Sequence, residues 1–249
     1  MPEDGLERPA FYALRRGGWR DLITVLHPPY TAWNLANVCF GAAAAAQIHT
    51  DRFVATLVAF FLAVGISAHT LDELNGRPLK TELSDSALIA LAVVSLVGAM
   101  AIGVAGCIIV SPTLIPFVLA GGFFVVAYNL ELFGGRFHTA FWLAFAWAAF
   151  PAITSWWVNT LSFASLKVDV AGVLVAAGCF GLVSVQRTLS TPVRRLRRQT
   201  VSVSGEQRLD DGTVIPLTPA ELSGPLDASL RGLSWAVVVL SVGLVVIRY

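Results

Sequence analysis

The sequence predicts an all-α, polytopic bundle of about seven transmembrane helices. Three observations carry this. Of the 249 residues, 56% are hydrophobic and only 13% are charged, about half the charged share of a soluble domain. No Asp, Glu, Lys or Arg falls between Ser86 and Leu130, or between Phe137 and Leu166. Each run exceeds the roughly 20 apolar residues a helix needs to cross a bilayer. The third observation is that the positive residues gather on one set of loops.

The spans read as Thr31–Ile48, Phe53–Leu71, Ser86–Val110, Thr113–Leu130, Phe137–Thr160, Val170–Gln186 and Gly232–Ile247. Ser111-Pro112 breaks the longest run in two, because proline lacks a donor and restricts the residue before it. Pro151 should bend the fifth span, which membrane helices tolerate when a neighbour satisfies the freed carbonyl. Before the first span, Trp19, Leu22, Ile23 and Val25 mix with Arg20 and Asp21, the pattern of a helix lying at the interface. Seven alternating spans place all but three of the 17 Lys and Arg residues on one side, with only Arg52, Lys167 and Arg248 opposite. By the positive-inside rule that side is cytoplasmic. The N-terminus is then inside and the C-terminus outside, as expected of an integral membrane protein (of the plasma membrane, in a prokaryote).

The chain accordingly divides into an N-terminal segment (1–30), a six-span bundle (31–186), a cytoplasmic loop (187–231) and a last span (232–249). Residues 1–21 are charged and lack an apolar core, so no cleavable signal peptide is expected. In the loop, Arg194 to Arg198 form a basic cluster that reads as an orientation signal and a contact for anionic lipid headgroups. Thr200–Leu209 and Thr213–Leu217 flank Asp210-Asp211-Gly212, a hairpin pattern. Thr218-Pro219 then opens a short helix. Membrane lipids are the expected partners, with a protein partner as an alternative at 187–231. No nucleic-acid motif is present. Cys39, Cys107 and Cys179 lie on separate spans and show neither disulfide nor metal spacing.

The candidate chemistry lies at the cytoplasmic ends of the spans. His27-Pro28-Pro29-Tyr30 enters the first, which carries Asn34 and Asn37. His69, Asp72 and Glu73 close the second and share one helical face. Arg77 follows in Arg77-Pro78-Leu79. Tyr128-Asn129-Leu130-Glu131 ends the fourth, and Arg136 and His138 enter the fifth. Ionisable groups this near lipid are functional hypotheses by default. Imidazole with carboxylate suits Zn or Fe, so His27, His69, Asp72, Glu73, Glu131 and His138 form a candidate metal site. His69, Asp72, Glu73 and Glu131 are its candidate catalytic groups. Asn34, Asn37, Arg77, Tyr128, Asn129 and Arg136 are candidate substrate contacts.

At these residues the chain resembles the UbiA-type prenyltransferase superfamily of membrane enzymes. His27-Pro28 with Asn34 or Asn37 is similar to the family's entry to its first helix. His69 to Asp72, running on to Arg77-Pro78-Leu79, is similar to its first Asp-rich motif, and Tyr128 to Leu132 to its Tyr-led segment. The resemblance covers roughly residues 20 to 160. It implies a UbiA-like bundle in which Asp carboxylates hold Mg²⁺ against the diphosphate of an isoprenoid substrate, and prenyl transfer as the reaction. Only Asp72 keeps its place in the first motif. Where the second should follow the sixth helix, the chain has Gln186-Arg187-Thr188-Leu189-Ser190. Two alternatives stay open: a transition-metal hydrolase or oxidoreductase, and a non-catalytic lipid- or partner-binding protein.

Overall fold

A computed structural model of the chain describes residues 9–162 and 165–248. Arg8 of the positive set lies outside the described residues. The chain is 76% helical, with one two-stranded sheet. Its elements are α1 (Trp19–Val25), α2 (Pro28–Ala44), α3 (Thr50–Leu74), α4 (Asp85–Ile109), α5 (Pro112–Asn129), α6 (Ala140–Thr160), α7 (Leu166–Arg198), β1 (Glu206–Arg208), β2 (Val214–Pro216) and α8 (Pro219–Arg248). The six helices α3 to α8 are long and apolar enough to cross a membrane, consistent with an integral membrane protein. The 17-residue α2 measures about 25 Å along its axis.

Local signals explain the helix starts. Ser84, Ser111, Thr139 and Ser165 each accept a backbone N–H in the first turn of α4, α5, α6 and α7, satisfying donors that a helix leaves orphaned. Burial separates centre from rim. In α4 only Leu88, Ala92, Ser95 and Ala99 are buried, and Val93, Val94, Val97, Val104, Ile108 and Ile109 face outward, as a lipid-facing helix requires. In α2 the buried set runs almost continuously from Thr31 to Ala42. It lies at the bundle's centre, packed on α6 and α8. The core there is rich in alanine: Ala36, Ala144, Ala148, Ala149, Ala152 and Ala176 surround Trp33 and Val183. Small residues let membrane helices approach closely. At Gly41 a β-carbon would sit 2.0 Å from the carbonyl oxygen of Ala152, so α2 and α6 touch backbone to backbone.

Two spans contain π-helical turns, at Phe61–Ala68 in α3 and Phe145–Ala149 in α6. The second precedes Pro151. With no N–H, Pro151 cannot serve the carbonyl four residues back, which is that of Trp147. Asn34 Nδ2 and Asn37 Nδ2 donate to that oxygen instead, at 2.9 and 3.1 Å. The two asparagines expected to meet substrate thus complete a broken helix, although Asn34 also touches the cavity described below.

The 187–231 segment differs from expectation. The helix expected to end at Gln186 runs on to Arg198, about 50 Å in all, because nothing from Gln186 to Arg198 breaks it except Pro192, which it absorbs. Strands β1 and β2 pair antiparallel, with Gln207 opposite Ile215. Gly212 in the turn has φ 85°, and Thr213 donates its N–H to Asp211 Oδ1 at 2.8 Å. Thr218 Oγ1 accepts from the N–H of Glu221 at 3.1 Å. The helix it starts continues without interruption into the last span.

Replacing Asn34 or Asn37 singly by Ala should cost about 1 kcal/mol, because the other still serves Trp147. The double variant should lose about 2 to 3 kcal/mol, through an orphaned buried carbonyl. Pro151→Ala in the double background should recover part of that loss. Unfolding in mixed micelles measures all four.

Candidate functional site

The ends of α2, α3, α5, α6 and α7 at one end of the bundle hold a cavity of about 180 Å³. His27, His69, Asp72, Tyr128, Asn129 and His138 line it. Trp33, Leu143, Trp147 and Val183 supply its apolar wall. One face is a single stripe of α7: Arg187, Ser190, Arg194 and Arg198, at intervals of three and four residues that put them on one side of the helix. Behind the stripe, Arg197 pairs with Asp227 at 2.5 Å, both side chains more than 90% buried, which ties α7 to α8. Among the described residues, none of the three cavity arginines forms an ion pair. Three guanidiniums face one carboxylate, that of Asp72.

His27 is the junction between α1 and α2. Its backbone is left-handed (φ 47°), a conformation costing roughly 1 to 2 kcal/mol in a residue with a β-carbon. Its ring lies parallel to that of His69, with centroids 4.3 Å apart. The hydroxyl of Tyr12 meets its Nδ1 at 2.7 Å. Burial above all, then repulsion from His69, Arg198 and Arg194, holds its pKa well below the usual 6.5, so His27 is neutral near pH 7. Burial likewise pushes the Tyr12 phenol well above its usual 10. His69 Nδ1 sits 3.3 Å from both the Gly65 carbonyl and the Thr31 hydroxyl. His138 stacks on Tyr128 at 4.5 Å, and its Nδ1 meets the Tyr128 carbonyl at 3.0 Å.

Several predicted site residues lie elsewhere. Glu73 is fully buried but outside the cavity. Its Oε2 accepts the N–H of Leu79 at 2.8 Å, and its Oε1 accepts the N–H and hydroxyl of Thr81 at 2.8 and 2.9 Å. It organises the α3–α4 loop. Arg77 belongs to the same loop, donating to the Leu83 carbonyl at 2.5 Å and pairing with Asp85 at the start of α4. Arg136 is exposed. Glu131 is half exposed, 4.0 Å from His138 Nδ1. Asn129 lines the cavity but donates to the Val125 carbonyl at 2.7 Å.

This placement decides the fit of a metal. Among the described residues, no group of three or more His, Cys, Asp or Glu side chains could hold one ion. The six expected ligands do not assemble: the oxygens of Glu73 are occupied by loop donors, and Glu131 points out of the cavity. Mg²⁺ is held by one or two carboxylates together with waters and substrate phosphates, and Asp72 is the one carboxylate among the described residues that line the cavity. The cysteines are free.

The sequence reading missed Tyr12, Arg187, Arg194 and Arg198 as cavity residues. The stripe on α7 could have been found by continuing the helical period past Gln186. Nothing in the sequence links Tyr12 to His27. No protein-family model, curated protein or solved structure matches the chain.

Glu73→Ala should destabilise the protein by about 3 kcal/mol, since three buried donors lose a charged acceptor. Glu73→Gln should lose less, because one oxygen remains. Thermal unfolding in detergent tests this. A Glu73→Ala variant as stable as wild type would show that the loop does not depend on the carboxylate.

Proposed function

We propose that this is a seven-span membrane enzyme, N-terminus in the cytoplasm, that binds the phosphorylated head of an isoprenoid or related lipid at its cytoplasmic end. The observation that carries this reading is the arginine stripe of α7: half-buried Arg187 and Arg194 and exposed Arg198 line a part-apolar cavity, and among the described residues none of them forms an ion pair. Guanidinium forks match phosphate oxygens bidentately, and three cations gathered along one wall of a cavity favour an anion between them. Charge asymmetry in the loops supports the cytoplasmic assignment. A groove on the outer surface of α6 and α7, lined by Phe141, Phe180 and Thr188, shares Arg187 with the cavity, which supports entry from the lipid side.

Chemically, the arginines would neutralise charge growing on a departing phosphate oxygen, as preorganised donors do in a water-poor site. Asp72 has Arg198 and Arg194 as its charged neighbours in the cavity, with His138 beside them, and no described residue hydrogen-bonds to it. It is the group best placed to hold or move a proton, with His69 one turn before it. Trp33, Leu143 and Trp147 would pack the first carbons of the lipid. Prenyl transfer is the reaction that the resemblance to UbiA-type enzymes favours. Here positive charge comes from arginine where those enzymes use carboxylate-bound metal, and this exchange distinguishes the reading.

A radiolabelled prenyl diphosphate should therefore bind the purified protein in EDTA. Arg194→Ala should weaken binding by about tenfold or more, as expected for a charge-assisted hydrogen bond. Asp72→Asn should bind as wild type but fail to consume the label in the presence of an acceptor. Equal binding of the uncharged prenyl alcohol would overturn the anion reading. Binding without consumption under any acceptor would favour a lipid-binding protein over an enzyme.

A further inference from the structure

Residues 9–14 precede the first helix, yet they contribute to the cavity wall. Tyr12 lines it, and its ring packs edge-on against Tyr30 at 5.5 Å and tilted against His27 at 5.4 Å. The segment is fastened at three points. Leu14 donates its N–H to Thr24 Oγ1 at 3.0 Å, Arg198 Nε donates to the Pro9 carbonyl at 3.4 Å, and the guanidinium of Arg231 lies 5.3 Å from the centre of the Phe11 ring.

The Tyr12–His27 contact has a defined polarity. The half-buried phenol of Tyr12 stands at the cavity wall, and its one acceptor among the described residues is His27 Nδ1. If Nδ1 carried the ring proton, the phenolic hydrogen would have no acceptor among the described residues. Nδ1 is therefore the acceptor, and the proton of the neutral imidazole sits on Nε2. His27 is 91% buried by its 9% exposure, and its Nε2 finds no hydrogen-bond partner among the described residues. The parallel His69 ring presents its face and cannot accept. Tyr12, Tyr30, His69, Arg194 and Arg198 are the titratable or charged groups around His27, and Asp72 acts on Tyr12.

We propose that Tyr12 is a positioning residue: it fixes His27 as the Nε2–H tautomer, which then donates to a phosphate oxygen bound against the arginine stripe. This rests on the anion reading above. The N-terminal segment is thus part of the binding site, and a bundle lacking it would present His27 in either tautomer.

The test uses the full chain in lipid nanodiscs with ¹⁵N-labelled histidine. Its four histidines allow assignment by single His→Gln variants. Without ligand, His27 should show a protonated Nε2 and a bare Nδ1, and Tyr12→Phe should abolish that preference while keeping the ring contacts. Added pyrophosphate should move the His27 Nε2–H proton downfield in wild type. Tyr12→Phe should bind pyrophosphate about two- to fivefold more weakly, because the variant must first be drawn into the Nε2–H tautomer, a smaller effect than losing the hydrogen bond itself. Farnesyl diphosphate binding more tightly at the same signal would identify the lipid-borne form of the ligand. A protonated Nδ1 in wild type, or a tautomer unchanged by Tyr12→Phe, would overturn the role of Tyr12. So would saturation with pyrophosphate that leaves His27 unmoved. If pyrophosphate does not bind at all, the donor role falls with the anion reading. The ligand-free tautomer then shows that the failure lies in that reading rather than in the placement of Tyr12.

Discussion

A proline inside a membrane helix leaves one carbonyl without its donor, and in hydrocarbon no water can replace it. In this bundle that carbonyl belongs to Trp147, and Asn34 and Asn37 of α2 both donate to it. Much else follows from this clamp. It draws α2 against α6 closely enough that Gly41 meets the Ala152 backbone. It also fixes the entry end of α2, where His27 turns in a left-handed conformation. The indole of Trp147 is held at the floor of the cavity, 4.6 Å from the ring of Tyr128. The polar pocket and the apolar core are therefore two sides of one junction.

Charge is distributed by the same economy. Apolar helix surface faces outward along α4, while the arginines of α7 collect at one end of the bundle, as expected where ionised groups are expensive in an apolar layer. Acids near that end are divided by role. Glu73 gives both oxygens to the α3–α4 loop, and Asp21 accepts the N–H of Glu82 at 2.9 Å to hold α1 beside it. Asp227 balances Arg197. Asp72 alone among these faces the cavity without such a bond. Two carboxylates adjacent in sequence thus do different work, because successive helical residues point about 100° apart.

Much of the fold was legible in the sequence because the bilayer imposes a coarse rule: long uncharged runs become spans and Ser111-Pro112 separates two of them. The Asp-Gly hairpin and the start of α8 at Thr218-Pro219 were legible from turn and capping chemistry. The cavity was legible only in part. His27, His69, Asp72, Tyr128 and His138 stand out because polar residues are rare there. Glu73 and Arg77 stand out for the same reason yet serve the loop, since rarity does not reveal a partner. The arginines of α7 were read as a topological signal because hydropathy ends at Gln186 while the helix does not. Tyr12 reaches His27 through a tertiary contact that no local pattern encodes.

The central claim is that arginines, rather than carboxylate-bound metal, receive a lipid phosphate. An experimental structure of the protein with a prenyl diphosphate, prepared in EDTA, tests it most directly. The account predicts the diphosphate within hydrogen-bonding distance of Arg187, Arg194 and Arg198, with one oxygen facing His27 Nε2. A diphosphate bound only when metal is restored, and held through Asp72 or Glu131, would contradict it.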